Sequence, residues 1–532
     1  MWITYQSIMT TKKYPLGIQT FSEIKRGNYL YADKTAYVYK LAHYAKYHFL
    51  SRPRRFGKSL FVTTLQAYFE GRKELFEGLE IMQLEQEWTA YPVIHIDLSM
   101  GKYFRLKNLH AVLDAVLQGY EKQYGLSVDE DMADVYSVRV KNLIDAAYSQ
   151  TGKQVVVLID EYDAPMHDAM GNELLQKEIK EVTRDFMSPL KLQEAKLRFV
   201  FITGISKFSQ LSIFSELNNL KILTMKDEYA NVCGITETEL IQYFGDGIKD
   251  MAESNGMTQE EAVEELKRQY DGYHFSAKGE GVYNPYSIIN ALDDKRFNSY
   301  WFSSATPTFL IELLQQKGMD MLQLEDIWAS ESRFDVPTEK LTDPIPVLYQ
   351  SGYLTIKSYD ARRRMYHLGF PNEEVRRGFS DSLYHYYAPS DAGERDQLAV
   401  AYTDTLMGAT ENMEAFMPHL KAFYNKFPYT LVNNNERHYQ AVLYTIFTML
   451  GADVVAEHIT SNGRIDLLLR TQKSIYIFEL KYAKTTDVAM QQMISKQYAQ
   501  AFADDRREKY LIAINFSAND RTIDDWDIKH LR

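Results

Sequence analysis

The fold of the first half of the chain is decided by residues 47–61, YHFLSRPRRFGKSLF. The mostly apolar run Tyr47–Leu50 has the length of a buried strand, and the apolar residues that follow Ser59 recur at helical spacing. A strand, a glycine-containing loop and a helix in this order are typical of a P-loop, whose backbone N–H groups surround a polyphosphate. We therefore expect Gly57 to shape the loop, Lys58 to contact the β- and γ-phosphates, and Ser59 to ligate Mg²⁺.

Arginines take the place of residues that a P-loop usually carries. The first glycine of G-x-x-x-x-G-K-[ST] would fall at position 52, where the chain has Arg52. Arg54 and Arg55 follow and are candidate phosphate ligands. The three arginines could contact phosphate, act on the nucleotide of a neighbouring subunit, or only neutralise the loop, and the sequence does not separate these alternatives. Upstream, Tyr31 could pack near the base, but the abundance of tyrosine (39 in the chain) favours core packing.

The rest of this region alternates apolar runs with amphipathic patterns. Such runs, separated by helices, predict a parallel sheet covered on both faces, an α/β domain of the P-loop type. The predicted strands are 47–50, 93–98, 155–159 and 197–202, and the predicted helices are 60–69 and 109–124.

Two of these strands end in polar residues that suit nucleotide hydrolysis. The run Val155–Ile159 is followed by Asp160 and Glu161, the Walker B arrangement. We expect Asp160 to hold magnesium, and Glu161 to orient and deprotonate the attacking water. Thr203, at the end of the next apolar strand, could sense the γ-phosphate or position that water.

A second cluster lies near the end of the chain. Glu479 and Lys481 are two apart on a strand-like run, so both side chains project from one face, and a hairpin would place Asp466 beside Glu479. Two carboxylates and a lysine make a hard-oxygen site for Mg²⁺ or Mn²⁺ that could stabilise a phosphodiester transition state. The alternative, which spacing alone does not exclude, is a plain ion pair on an exposed strand face.

Beyond these patterns, the chain resembles the AAA-ATPase-like family of bacterial proteins. The resemblance covers most of the chain and is carried by YPLGI (14–18), YADKT (31–35), RPRRFGKSL (52–60), LIDEYDAP (158–165), FITGISKFS (201–209), LNNL (217–220), YDGYHF (270–275), YNPYS (283–287) and LYQSGYLTI (348–356). It implies an N-terminal P-loop ATPase followed by a PD-(D/E)XK nuclease-type domain, and Arg52 agrees with the family's own pattern.

The resemblance also implies roles for residues of the C-terminal cluster. Asp466, Glu479 and Lys481 match the catalytic motif of the nuclease superfamily, and Glu436 matches the extra acid on its first helix, which would make the three acids metal ligands. Gln497 and Tyr498 fall on a predicted helix at 488–503, where polar support residues are often found.

Length and composition limit the architecture and the compartment. With 532 residues the chain is too long for one core, and we expect four segments: an ATPase domain at 1–234, a helical lid with a winged-helix-like part at 235–385, a helical connector at 386–427 and a nuclease-like α/β domain at 428–532. Cys233 is the only cysteine, which excludes an internal disulfide and a cysteine-based zinc site. No apolar run is long enough for a membrane helix and no signal peptide is evident, so a cytoplasmic protein is expected.

The net charge of −12 argues against a surface that is basic all over, but a local basic groove is enough for nucleic acid. The leading interpretation is an ATPase that uses ATP and Mg²⁺ and whose nucleotide state controls a metal-dependent nuclease on the same chain, with nucleic acid as partner and a homo-oligomer as an option. The alternative is an ATP-gated switch that binds nucleic acid or protein through an inactive nuclease fold. A third and weaker option is a phosphoryl transferase, which Glu161 disfavours because a water-activating acid suits hydrolysis.

Overall fold

The computed structural model describes residues 12–128, 130–207, 219–302, 308–335, 343–387, 392–426 and 435–531. The end of the FITGISKFS motif, the start of LNNL and the predicted boundary at 427–428 lie outside these ranges. The chain divides into two compact units. Unit 1 comprises Met1–Ser304 and Ile327–Glu373, and unit 2 comprises Ala305–Asp326 and Glu374–Arg532.

The secondary structure alternates along most of the chain. The strands are β1 (Tyr47–Ser51), β2 (Val93–Asp97), β3 (Val155–Asp160), β4 (Leu197–Gly204), β5 (Lys221–Ile222), β6 (Ile327–Ala329), β7 (Thr355–Asp360), β8 (Met365–Gly369), β9 (Asp453–Thr460), β10 (Gly463–Arg470), β11 (Ser474–Tyr482), β12 (Glu508–Phe516) and β13 (Ile523–Leu531). The α-helices are α1 (Phe21–Arg26), α2 (Thr35–Ala42), α3 (Lys58–Phe69), α4 (Ile81–Leu84), α5 (Leu106–Gln123), α6 (Tyr136–Thr151), α7 (Ala164–Asp168), α8 (Glu173–Met187), α9 (Pro189–Leu192), α10 (Glu237–Asn255), α11 (Gln259–Tyr270), α12 (Pro285–Asp294), α13 (Thr308–Lys317), α14 (Met321–Glu325), α15 (Glu331–Phe334), α16 (Ile345–Ser351), α17 (Glu373–Tyr387), α18 (Ala392–Leu406), α19 (Met413–Asn425), α20 (Glu436–Met449) and α21 (Thr486–Ser495).

Unit 1 is built on a parallel sheet of five strands in the order β2-β3-β4-β1-β5. Strands β1, β3 and β4 are buried almost throughout, because α5, α6 and α8 pack on one face and α3 on the other. On the α3 side, the ring of Phe61 lies 5.8 Å from that of Phe201, and Phe69 lies 4.8 Å from Phe199. The predicted parallel α/β architecture is confirmed.

The later part of unit 1 combines helices with a small sheet. Helix α10 begins with a capping box, in which Thr236 and Glu239 each bond to the other's backbone N–H. Strands β6, β8 and β7 form an antiparallel sheet in that order. Helix α16 ends at Gly352, whose φ of 90° favours glycine, and an added Cβ there would lie 2.8 Å from Pro53 of the P-loop.

Unit 2 has a mixed sheet in the order β13-β12-β11-β10-β9, in which only β11 and β12 run parallel. Helices α13 and α14, which come from the middle of the chain, belong to this unit. The helix predicted for 488–503 is wrong in its second half: α21 ends at Ser495, and Gln497 takes a left-handed φ of 51° that breaks the helix. The edge strand β13 was not predicted from the sequence.

Candidate functional site

The P-loop lies between β1 and α3, at the carboxyl end of the parallel sheet. Gly57 precedes the helix with a left-handed φ of 89°, so the turn into α3 requires glycine. The buried Nζ of Lys58 donates to the Pro53 carbonyl at 3.2 Å and lies 3.1 Å from Oε1 of Glu161. The predicted Lys58 and Glu161, more than 100 residues apart in sequence, therefore meet directly.

The end of β3 completes this group. Asp160 is almost fully buried, and the Ser59 hydroxyl hydrogen-bonds to its carboxylate. Burial, together with the charge of Glu161, raises the pKa of Asp160 to about 7, although Ser59 and Lys58 oppose the shift. A buried carboxylate with so little compensating positive charge suits a divalent cation. Glu161 itself has a left-handed φ of 48°, the kind of strained backbone that often occurs at functional sites.

Thr203, Arg54 and Arg55 lie near the Lys58–Glu161 ion pair but make other contacts. Because β4 lies between β1 and β3, Thr203 ends next to the P-loop, yet its buried hydroxyl donates to the Leu50 carbonyl at 2.7 Å. Arg54 is exposed, and its backbone carbonyl accepts from the Trp301 indole. The guanidinium of Arg55 lies 4.9 Å from the centre of the Tyr286 ring.

Arg52 has a structural role. Its side chain is buried, and its guanidinium donates to the carbonyls of Ser51, Thr224 and Tyr229, each at 2.9 Å. The guanidinium also lies 4.2 Å from the Phe275 ring centre. The side chain at the position of the missing glycine is thus engaged with protein carbonyls rather than directed to a ligand.

A largely apolar cavity of about 80 Å³ adjoins the P-loop. Its walls include Gly57 and Leu60 from the start of α3 and Cys233 from the segment before α10. Tyr31 and Lys34 also line it, and the Nζ of Lys34 lies 2.6 Å from Oε1 of Glu239. The YADKT segment therefore does reach a space beside the P-loop.

The carboxylate and lysine cluster of unit 2 is also assembled. The hairpin of β10 and β11 places Asp466 next to Glu479, and Oδ2 of Asp466 accepts from the Leu480 N–H at 2.7 Å. Nζ of Lys481 lies 2.6 Å from Oε1 of Glu479 and 3.7 Å from Oε1 of Glu436 at the start of α20. All four predicted residues are therefore neighbours.

The electrostatics of this cluster favour a cation. Burial, with the charge of Asp466 next in importance, raises the pKa of Glu479 to about 7, and burial raises the pKa of Asp466 to about 6. Among the described residues, Oε2 of Glu479 has no hydrogen-bond partner although it is buried. Hard oxygen donors with an unpaired buried oxygen fit Mg²⁺ or Mn²⁺, and Asp466, Glu479 and Glu436 are the residues that would hold it. Within the same ranges, no three His, Cys, Asp or Glu side chains are already arranged around one metal position.

Two residues of this site were missed from the sequence. The side chain of Gln440 donates to Oε1 of Glu457 at 2.6 Å and to the Asp466 carbonyl at 2.9 Å. Gln440 lies four residues after Glu436, so helical spacing could have placed it on the same face of α20. Glu457 had no such signal, because its place opposite Asp466 depends on the pairing of β9 with β10, where the pairs Ile465–His458 and Leu467–Ala456 bracket it. Its φ of 54° is left-handed.

Comparison with known proteins matches two parts of the chain to protein families. Residues 15–214 match a family model described as predicted AAA-ATPase. The whole chain is similar to an uncharacterized protein in the vnfD 5′ region of Azotobacter chroococcum mcd 1, with 33% identity over 97% of this chain and 98% of the relative. The chain belongs to the AAA-ATPase-like family.

In this AAA-ATPase-like protein, residues 434–526 also match a model of the PD-(D/E)XK nuclease superfamily. The two matches enclose the Lys58–Glu161 contact and the Asp466–Lys481 cluster, respectively. Across the described ranges, none of the helices combines the length and apolar character needed to cross a bilayer.

Proposed function

We propose that unit 1 binds and hydrolyses ATP with Mg²⁺. The observation that carries this proposal is the meeting of Lys58, Ser59, Asp160 and Glu161 at the end of two buried strands. Lys58 would contact the phosphates, Ser59 and Asp160 would hold the cation that offsets the phosphate charge, and Glu161 would activate water. The cavity between Tyr31 and Leu60 offers the base a largely apolar space next to Gly57.

The Lys58–Glu161 ion pair suggests how hydrolysis depends on nucleotide. The same ammonium group that would contact phosphate oxygens is 3.1 Å from the acid proposed to activate water. Phosphate binding would compete for Lys58 and leave Glu161 available as a base. We expect Lys58→Ala to abolish ATP binding and turnover, and Glu161→Gln to retain binding but lose turnover. Intact hydrolysis in Lys58→Ala would contradict the proposal. Lys122→Ala, which removes an exposed charge from α5, is the control and should keep both binding and turnover.

We further propose that unit 2 hydrolyses phosphodiester bonds of nucleic acid with Mg²⁺ or Mn²⁺. Support comes from the buried cluster of Asp466, Glu479 and Lys481 with its unpaired Glu479 oxygen. The metal would stabilise the charged transition state, and Lys481 would position or activate water. Asp466→Ala and Lys481→Ala should stop metal-dependent cleavage of DNA or RNA, whereas Arg506→Ala, an exposed change in the same unit, should not.

The relation between the two activities is part of the proposal. If nucleotide state controls the nuclease, ATP should alter cleavage by the wild-type chain but not by Lys58→Ala. An equal response in both proteins would contradict the coupling while leaving each activity intact. If the chain bound nucleic acid but did not cleave it with any metal, the alternative of an ATP-gated binding switch would be favoured instead. The ion pair between Lys481 and one oxygen of Glu479 is consistent with that alternative.

A further inference from the structure

The small sheet of unit 1 carries an exposed surface that neither proposed active site uses. We call it the wing surface and define it as Trp328, His367, Ser358 and the turn Arg362–Arg364. The cross-strand pairs Trp328–His367 and Ser358–His367 place the first three residues in one row across β6, β8 and β7. Trp328 is 41% exposed, whereas its two neighbours in β6 are buried, so this row is the outer face of the sheet.

The aromatic part of the wing surface is already ordered. The rings of Trp328 and His367 are stacked, with centroids 5.1 Å apart and planes 16° from parallel. The imidazole therefore covers one face of the indole, while Trp328 remains 41% exposed. The nearby Tyr359 differs, since it contacts Tyr366, which packs against buried Phe334 on the inner side.

The basic part lies at the tip of the same hairpin. Arg362, Arg363 and Arg364 are all exposed in the turn between β7 and β8. Asp360 accepts from the N–H groups of Arg362 and Arg363 at 2.9 and 3.1 Å and lies 3.6 Å from the Arg363 side chain. One carboxylate thus orders a turn that carries three guanidinium groups. Arg364 precedes His367 by three residues, which is about 10 Å along an extended strand.

Two further arginines, Arg376 and Arg377, follow this hairpin in the sequence but are not part of the wing surface. They belong to unit 2, where Arg376 donates to the Tyr444 hydroxyl at 3.1 Å and Arg377 donates to the Gly451 carbonyl at 3.1 Å. The basic charge of the wing surface therefore comes from the turn alone.

We propose that the wing surface binds single-stranded nucleic acid, with a base stacked on Trp328 and neighbouring phosphates at Arg362–Arg364. A flat aromatic face beside clustered arginines is complementary to a base followed by its phosphodiester backbone. Single strands are favoured because the bases of a duplex are already stacked and cannot reach an indole on a sheet. A protein partner is disfavoured because the row Trp328–His367–Ser358 offers little apolar area apart from one indole.

The test measures binding apart from any cleavage. Full-length protein carrying Asp466→Ala is titrated, in EDTA, into fluorescently labelled single-stranded DNA, single-stranded RNA and duplex DNA, and anisotropy is recorded. Trp328→Ala should weaken binding of single strands between about fivefold and 100-fold, since aromatic stacking contributes that much per base. Trp328→Phe should restore much of the affinity. Tyr148→Ala, which removes an exposed aromatic residue from α6, should leave binding unchanged.

The role proposed for the three arginines gives a second prediction, on the salt dependence of binding. Replacing Arg362, Arg363 and Arg364 by alanine should reduce the salt dependence, lowering the slope of log K against log salt by about 0.7 for each phosphate that is no longer neutralised. Replacement of the same three residues by lysine should keep the slope. The DNA and RNA titrations decide which single strand is preferred.

Several outcomes would contradict the proposal: no binding of single strands by the full chain, unchanged affinity in folded Trp328→Ala, or equal losses for single strands and duplex. Weaker binding on removal of the arginines but not of Trp328 would contradict base stacking. None of these outcomes depends on nuclease activity, because binding is measured in EDTA with Asp466→Ala. Cleavage by unit 2 is measured separately, in Mg²⁺ and with Asp466 unchanged.

Discussion

Arg52, at the position where a P-loop usually has glycine, is held by carbonyl groups of the protein itself. Its guanidinium contacts carbonyls from β1 and from the segment that follows β5, so it ties the start of the P-loop to the rest of unit 1. Burial lowers its pKa to about 10, which still leaves it charged at neutral pH. A buried charge with several strong acceptors is costly to remove, because the acceptors lose their donor.

Arg52→Ala should therefore reduce the free energy of unfolding by about 3 kcal/mol or more, since it leaves buried carbonyls without donors. Arg54→Ala is the matched control, because Arg54 is exposed two residues later, and its effect should stay within about 0.5 kcal/mol. Urea denaturation of both variants checks this. Similar stabilities for the two would show that Arg52 does not hold the loop.

Glu479 provides a pH-dependent prediction. Its pKa is raised from 4.5 to about 7, mainly by burial, so the folded chain binds this proton more tightly than the unfolded chain. The stabilising effect of the protonated group is present below about pH 4.5 and is lost as the pH rises to about 7. Glu479→Gln stays neutral, and in EDTA it should gain stability over the wild type across this window, by roughly 3 kcal/mol at pH 8.

Denaturation curves of both proteins between pH 4 and 8 measure this difference. The exposed Glu253→Gln, in α10, should show no comparable dependence on pH. The contrary result is a difference in free energy of unfolding between Glu479→Gln and the wild type that stays constant across this pH range. That result would mean that Glu479 titrates in the ordinary range and that its environment is not the one described.

At the scale of elements, the ends of β3 and β4 are joined by a buried carboxylate. Asp163 accepts from the N–H groups of Ile205 and Ser206 at 3.0 and 2.7 Å and from the Ser206 hydroxyl at 2.8 Å. His167 lies 3.0 Å from the same oxygen. This connection holds the turn that contains Glu161 against the segment after β4. It depends on Gly204, where an added Cβ would lie 2.3 Å from Oδ1 of Asp163.

Gly204→Ala should consequently lower the free energy of unfolding by about 2 kcal/mol, because the packed segment has to shift. The same substitution at Gly119, on the exposed side of α5 with nothing within 4 Å, should instead stabilise by about 0.5–1 kcal/mol through helix propensity. Thermal denaturation distinguishes the two. Gly204→Ala should also slow ATP turnover. An unchanged rate would show that hydrolysis does not depend on the hydrogen bonds of Asp163.

The sequence predicted the elements around the sites better than the contacts between them. Strands β1, β3 and β4 were predicted nearly in full, because their runs are mostly apolar and polar residues follow each run. The role of Asp163 could not be predicted, since its partners follow a different strand and spacing along the chain does not reveal them. Glu457 was missed for a related reason: its place opposite Asp466 depends on the register between β9 and β10, which the sequence of either strand does not reveal. Strand β13 alternates exposed and partly buried residues, so its apolar signal is weak.

At the scale of the whole molecule, unit 2 is built from two separate parts of the chain. Glu325 of α14 lies near Arg376 of α17 and accepts a hydrogen bond from the Tyr444 hydroxyl of α20 at 2.5 Å. Ser380 of α17 also approaches the Met321 sulfur. Residues 305–326 therefore contribute to the unit that carries the Asp466–Lys481 cluster, although they precede its main part by 47 residues (327–373).

A fragment of residues 374–532 should accordingly be less stable than the same fragment with residues 305–326 fused to its N-terminus through a Gly-Ser linker. The fused version restores the partners of Tyr444 and Arg376, and we expect its Tm to be higher by several degrees. A scrambled version of the 305–326 segment on the same linker is the control. Equal Tm values for all three fragments would show that α13 and α14 are dispensable for unit 2.

The division of unit 2 into two chain segments also bears on biosynthesis. A ribosome that adds roughly 5–20 residues per second would complete α13 and α14 about 2–10 s before residue 374 is translated. During that interval the apolar side chains of these helices, Leu310 and Leu314 among them, have not yet met the helices that will cover them. The nascent chain thus exposes an apolar segment midway through translation, at a stage when ribosome-associated chaperones could shield it.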